Sequence, residues 1–239
     1  MTAQELWKAG KLEDAIQALN GELRGNPTDS KRRIFLFELL CFAGQYDRAD
    51  KQLDILAQGG QQAEMGTLLY RAALHAERLR HAMFEKRDYP STRASSEVSG
   101  TINGKPFATL SDADSRIGAN LEIFAAGAYL WLPFSVIATV EMQPPKRLRD
   151  LLWAPAVVRP SEAYKGQELG EVLVPVLTPF AWKHSDPDVR LGRSSVVETA
   201  AGDGPFPMGQ KFLLADDDEI PILELRSLVL TPSAATGGA

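Results

Sequence analysis

Leu6-Trp7-Lys8-Ala9-Gly10-Lys11-Leu12-Glu13-Asp14-Ala15-Ile16-Gln17-Ala18-Leu19 and Leu40-Cys41-Phe42-Ala43-Gly44-Gln45-Tyr46-Asp47-Arg48-Ala49-Asp50-Lys51-Gln52-Leu53 are one pattern written twice, 34 residues apart. The equivalences are Leu6 with Leu40, Gly10 with Gly44, Leu12 with Tyr46, Ala15 with Ala49 and Leu19 with Leu53. A glycine that closes a turn ahead of apolar residues at helical spacing describes a helix hairpin. The small alanines let the second helix of each hairpin approach the first, and the large residues fill the seam. One hairpin cannot bury its apolar face alone, so neighbours stack and leave a concave groove. Such grooves usually bind peptides or helices and seldom do chemistry.

Thirty-four residues is the period of tetratricopeptide hairpins. The first hairpin is expected over Thr2–Arg24, with Leu12, Ile16, Leu19 and Leu23 on one face. Gly25-Asn26-Pro27 stops it, and Thr28, Asp29 or Ser30 is available to cap a third helix, Ser30–Phe42, expected to be the most buried. A fourth helix carries Ala49, Leu53 and Leu56 and ends at Gly59-Gly60. The pattern from Ala63 to Lys86 is helical, but Arg78 and Met83 stand where Gly44 and Ala49 would recur, so this helix reads as the cap of the array. Residues 1–90 are thus expected to form a tetratricopeptide-like α-α superhelix.

Asp88-Tyr89-Pro90-Ser91-Thr92 reads as a linker, and beyond it the period changes to two. Asn103-Gly104, between Val98–Ile102 and Lys105–Leu110, is a strong hairpin signal. Leu121–Ala125, Tyr129–Phe134, Val136–Met142, Ala156–Arg159, Glu171–Leu177, Lys211–Leu214 and Pro221–Leu230 read as further strands. Lys146–Trp153 reads as a short helix and Thr199–Gly209 as a polar loop. The expected fold is α+β in two domains: the helical array, then a β-rich, mostly antiparallel domain over residues 93–230. A disordered tail is expected over residues 231–239.

Composition excludes several classes. With 44% hydrophobic and 24% charged residues the chain is an ordinary globular protein of one or two domains. The one cysteine, Cys41, lies in an apolar run and reads as a buried small hydrophobe. No signal peptide is visible, and a cytoplasmic location is expected. Residues Ile123–Val140 carry no charge, yet Gly127, Pro133, Ser135 and Thr139 and the acidic flanks Glu122 and Glu141 favour buried strands over a membrane span. Residues 1–92 balance 13 basic against 13 acidic side chains, so the net charge of −5 belongs to the rest. That balance argues against nucleic acid as a partner.

Motifs for chemistry are sparse. His75 and His81 point to different sides of one helix, His184 lies in a polar loop, and surface titration is the expectation for all three. Asp112-Ala113-Asp114-Ser115-Arg116 has a cation where a calcium loop needs oxygen, and reads as a turn whose aspartates hold N–H groups or Arg116. Asp216-Asp217-Asp218-Glu219 reads as a turn between strands. Gly192-Arg193-Ser194-Ser195 is no nucleophile elbow, and neither a phosphate loop nor a dinucleotide fingerprint is present. No cofactor or metal is expected. Trp131 and Trp153 read as core, while Trp182 is divided between packing and service as an exposed anchor.

Several segments together resemble the ImpE/TagJ family of type VI secretion accessory proteins. They include Lys31-Arg32-Arg33 leading into Leu36-Phe37-Glu38-Leu39-Leu40, then Gly44 and Arg48–Leu53. In the second half they are Asp112-x-Asp114-x-Arg116-x-Gly118 with Leu121-Glu122, Leu130–Phe134, Leu148–Pro155, Gly170-Glu171 with Val174–Leu177, and Asp188–Arg193. The resemblance implies an adaptor, not an enzyme. Its partner would be the N-terminal helix of the small contractile-sheath subunit, with an influence on sheath assembly or on disassembly by the ClpV unfoldase. A helix laid in a groove agrees with the repeat reading. Candidate partner-binding residues are Arg32, Arg33, Glu38, Arg48 and Trp182, with the acidic second domain as the alternative surface. Asp112, Asp114, Arg116, Glu122, Arg149, Asp150, Trp153, Arg190 and Arg193 read as structural, with Arg190 and Arg193 expected to pair with Asp112, Asp114 or Glu122. A repeat-type chaperone with another partner, and an enzyme with an acidic site at Asp112, Asp114 and Glu122, stand as alternatives.

Overall fold

The computed structural model describes residues 1–90, 97–162, 164, 166, 169–199 and 205–231. Five helices come first: α1 (Ala3–Lys8), α2 (Leu12–Gly25), α3 (Ser30–Phe42), α4 (Tyr46–Ala57) and α5 (Gln61–Lys86), each packed on the next from α2 onward and α1 on α2. The 34-residue recurrence is visible in the backbone. Gly10 donates its N–H to Trp7 O at 3.0 Å and Lys11 to Leu6 O at 2.9 Å; 34 residues later Gly44 donates to Cys41 O at 3.0 Å and Gln45 to Leu40 O at 2.8 Å. Both glycines have positive φ, 77° and 67°. Each is the left-handed residue of a double-bonded helix end.

Asp29 caps α3 by accepting from the Arg32 N–H at 3.0 Å. Every residue from Leu36 to Phe42 is buried, as expected of the central helix. Each large apolar side chain so buried contributes roughly 1.5–3 kcal/mol. The glycine turns at 10 and 44 touch the same later segment. A Cβ on Gly44 would lie 2.3 Å from the Trp182 ring, and one on Gly10 would lie 3.3 Å from Pro187 Cβ.

The remaining chain supplies β1 (Gly100–Ile102), β2 (Lys105–Phe107), β3 (Leu110–Asp112), β4 (Asn120–Ala125), β5 (Ala128–Pro133), β6 (Ile137–Met142), β7 (Trp153–Pro160) and β8 (Glu171–Pro175). After them come a one-turn helix α6 (Pro187–Arg190), then β9 (Ser195–Thr199), β10 (Pro205–Gly209), β11 (Phe212–Ala215), β12 (Asp218–Pro221) and β13 (Ser227–Leu230). Eight strands form one antiparallel sheet in the order β2-β1-β13-β6-β7-β8-β4-β5. A three-stranded sheet, β12-β11-β3, and the hairpin β10-β9 complete the fold, which is α+β. The turns Asn103-Gly104 and Ala126-Gly127 both have two successive positive φ values, the geometry that tight hairpins need.

Four sequence expectations of local structure are corrected. Thr199–Gly209 is not a loop throughout: Ser195–Thr199 pairs with Pro205–Gly209, its alternation hidden by two prolines and a glycine. Lys105–Leu110 is not one strand, because the Asp216 carboxylate takes the Ala108 and Thr109 N–H groups at 3.0 and 2.8 Å and separates β2 from β3. Pro221–Leu230 is broken by a 3-10 turn at Ile222–Glu224. The short helix expected at Lys146–Trp153 is a 3-10 turn, Leu148–Leu151. Among the described residues no helix is long and apolar enough to cross a membrane, and residues 123–140 fold as strands joined by the Ala126-Gly127 turn and a 3-10 turn at Phe134–Val136. The tail from residue 232 and the linker positions 91–92 lie outside the described residues.

One apolar core lies within the sheets. A second fills the helices and also takes in Phe124, Leu152, Trp153, Leu173 and Leu191 from the later chain. The two parts therefore share buried surface.

Candidate functional site

At that shared surface lies a buried network of charges. Arg80, on α5, is 1% exposed. Its Nε and Nη2 donate to both oxygens of Glu122, on β4, at 2.8 and 2.9 Å. Its Nη1 lies 3.2 Å from Glu77, which also accepts from the Trp153 indole N–H at 2.8 Å. Glu122 accepts further from Lys211 Nζ and from the Tyr129 hydroxyl, and Tyr129 in turn accepts from the Trp131 indole. Lys211 Nζ also donates to Asp112 at 2.5 Å.

The Asp112–Gly118 turn is organised as its spacing suggested. Asp112 accepts from the Asp114 N–H at 2.9 Å, and Asp114 accepts from the Arg116 N–H, Nε and Nη2 at 3.0, 2.8 and 2.6 Å. Arg116 then lies over Phe206 at 3.9 Å.

The electrostatics follow from burial and neighbours. Loss of hydration pushes the Glu122 carboxyl up, but Arg80 and Lys211 outweigh it and hold the group far below the ordinary carboxylate range. Asp112 is raised to about 6, burial being the largest cause and Lys211 opposing it. Burial also lowers His81, whose side chain is 12% exposed between Glu77 and a stacked Phe180 ring at 4.7 Å. His81 is thus an interior histidine, not the surface group expected from its helix position. The hollow beside it, lined by Cys41, Tyr46, Glu77, Arg80 and Trp182 among others, measures about 20 Å³. That is room for about one water and for no larger molecule. Among the described residues no group of three or more His, Cys, Asp or Glu is placed to hold a metal ion.

Arg190 and Arg193 do not reach Asp112, Asp114 or Glu122. Arg190 Nη2 donates to Glu13, on α2, at 2.5 Å. Arg193 donates to the carbonyls of Trp7 and Lys8 at 2.8 and 3.1 Å, with its guanidinium 5.4 Å from the Trp7 ring centre. Both tie the later chain to the first hairpin. Arg149 lies 3.0 Å from Glu38 and 4.6 Å from the Tyr70 ring centre. Asp150 accepts from the Lys146 and Arg147 N–H groups at 2.8 and 2.9 Å. Trp153 is core, at 2% exposure.

The five candidate partner-binding residues divide. Arg32 and Arg48 are exposed: Arg32 is paired with Glu22 at 2.7 Å and Asp29 at 2.5 Å, and Arg48 is bonded to Gln45. Arg33, half-buried, donates to Pro27 O at 2.7 Å and to Gln52 at 3.0 Å. Glu38 is buried against Arg149, and Trp182 is half-buried over Gly44, so both are used internally and neither is an open anchor. Arg32 and Arg48 line separate hollows. The residues that sequence reading passed over are Glu77, Arg80, Tyr129 and Lys211. Arg80 had a signal, since it continues the Ala73–Ala76 apolar stripe of α5 as a charge, which marks a buried pair.

The ImpE protein family profile matches residues 104–229. The type VI secretion system accessory component TagJ of Pseudomonas aeruginosa is 32% identical over 269 aligned positions, spanning 98% of this chain and 93% of that protein. A crystal structure of protein VPA1032 from Vibrio parahaemolyticus superposes with a TM-score of 0.83 over 98% of each chain at 21% identity, a likeness of fold.

Proposed function

The chain belongs to the ImpE family, and on that premise we propose that it is a non-catalytic accessory protein of a type VI secretion system. In this reading its helical hairpins form a tetratricopeptide-like array. The chain holds the N-terminal helix of the small contractile-sheath subunit in the cytoplasm, and so modulates sheath assembly or ClpV-driven disassembly. The carrying observation is the likeness to TagJ, which runs through helices and sheets alike over 98% of the chain. Two further points support it. Stacked helix pairs are built to bind other chains. The buried carboxylates are spent on internal cations: Glu122, held by Arg80 and Lys211, is a very weak base.

Calorimetric titration of the full chain with a peptide copying the N-terminal helix of the cognate small sheath subunit tests this. Saturable binding near micromolar strength, about −8 kcal/mol, is expected. Absence of heat together with absence of competition at high peptide concentration would overturn it.

A further inference from the structure

Two hollows, of about 390 and 460 Å³, meet at Gln4 and Phe35, which line both. Together they make one groove walled by α1, by the first turns of α3 and by the segment Pro145–Leu151. Its floor is apolar: Trp7, Leu19, Phe35, Leu148 and Leu151. Its rim is cationic. Lys8, Lys31, Arg32, Lys146 and Arg147 line it against a single carboxylate, Glu22. Glu22 is occupied by Arg32, and among the described residues none of the other four cations is paired with an acid. This stands out in a chain of net charge −5, where cations left unpaired around an apolar floor mark an anionic partner.

The walls are fixed in place. Asp150 binds the Lys146 and Arg147 N–H groups, and Arg149 reaches Glu38 within α3, so the segment from the later chain is pinned beside the helices. Two of the walls are helices; in the third, irregular over Pro145–Arg147 and a 3-10 turn over Leu148–Leu151, Pro145 has no N–H and Asp150 takes those of Lys146 and Arg147, so this stretch offers no N–H for an extended peptide to join. An occupant must satisfy its own backbone, as a helix does.

From these observations we infer that this groove is the docking site for an acidic amphipathic helix. Its apolar face lies on Trp7, Phe35 and Leu148, and its carboxylates meet Lys8, Lys31, Lys146 and Arg147. The inference deepens the proposed function and rests on it for the identity of the helix, but the groove chemistry stands independently.

The test uses the full chain and two fluorescent probes, the sheath-subunit peptide and a synthetic leucine–glutamate amphipathic helix. The paired substitution Lys146→Glu with Arg147→Glu is expected to weaken binding at least roughly tenfold without lowering the melting temperature. The pair Lys8→Glu with Lys31→Glu serves as a second, independent lesion with the same expected effect. Wild-type affinity is expected to fall as salt rises from about 50 to about 300 mM, while Lys51→Glu, exposed on α4 outside the groove, leaves it unchanged. Binding that stays within about twofold in both pairs, or that is lost in Lys51→Glu instead, overturns the groove. If the sheath peptide fails on the wild type while the synthetic helix binds and is lost in both pairs, the groove stands and the functional reading falls. Failure of both probes on the wild type overturns both.

Discussion

Arg80 and Lys211 approach Glu122 from α5 and from the entry to β11, 42 and 89 residues away along the chain. Distances of that kind explain what was legible at the scale of single residues. Asp112, Asp114 and Arg116 organise one another within five positions, so their spacing announces a turn. The partners of Glu122 have no local signature beyond a charge placed on an apolar stripe. His81 was misjudged for the same reason, because its burial comes from Phe180, nearly a hundred residues downstream. Its environment carries a pH prediction. The folded chain holds His81 below its ordinary value, so between that ordinary value, about 6.5, and the folded one the unfolded chain takes up the proton first. The stability contributed by neutral His81 is complete above about pH 6.5 and is lost as pH falls. His81→Phe keeps the stacking and removes the titration. Urea midpoints at about pH 7.5 and 5 should show the wild type losing more stability than the variant over that interval. Parallel losses would refute the assignment.

At the scale of elements, helices were read well because their signals are local: a period of 3.6, a cap at Asp29, and glycines at two equivalent turns. Strand ends were read less well, because Asp216 and the 3-10 turn at Ile222–Glu224 interrupt strands by contacts the sequence does not display. The β9–β10 hairpin was missed altogether. The two repeat glycines offer a comparison within one molecule. Both need a left-handed backbone, and an alanine there costs about 1–2 kcal/mol. Only Gly44 also has a ring where the new methyl would go, 2.3 Å away, against 3.3 Å to Pro187 Cβ at Gly10. Gly44→Ala is therefore expected to cost more than Gly10→Ala by roughly 1–3 kcal/mol, the usual penalty of overpacking. Adding Trp182→Ala should remove most of the difference, because the obstructing ring is gone. A double-mutant cycle on denaturant unfolding measures this, and additive effects at 44 and 182 would show that the ring does not press on the turn.

For the whole molecule, the change of period near residue 90 marks where helices give way to strands, and that much was readable. The surface joining the two parts was not. It is built from the bidentate Arg80–Glu122 pair, the Trp153–Glu77 bond and the clasp of Arg190 and Arg193 on the first hairpin, all between residues distant in sequence. Phe124, Trp153 and Leu173 lie in the same apolar cluster as Leu36 and Phe37, so separating the parts would expose surface that each needs buried. Two units joined by a simple tether would melt independently; a shared core predicts one cooperative transition. Two probes distinguish these. Helix content comes mainly from α1–α5, whereas three of the four tryptophans, Trp131, Trp153 and Trp182, belong to the later chain; replacing Trp7, in α1, by Phe leaves the fluorescence to those three. Far-ultraviolet dichroism and tryptophan fluorescence should give coincident urea curves. Arg80→Ala, which leaves Glu122 and Glu77 short of a buried cation, should shift both curves together by about 3–5 kcal/mol. Separate midpoints, or a shift confined to one probe, would mean that the network decorates the junction without coupling the parts. Coincidence would mean that whatever stabilises the hairpins stabilises the sheet as well, since both draw on one folding equilibrium.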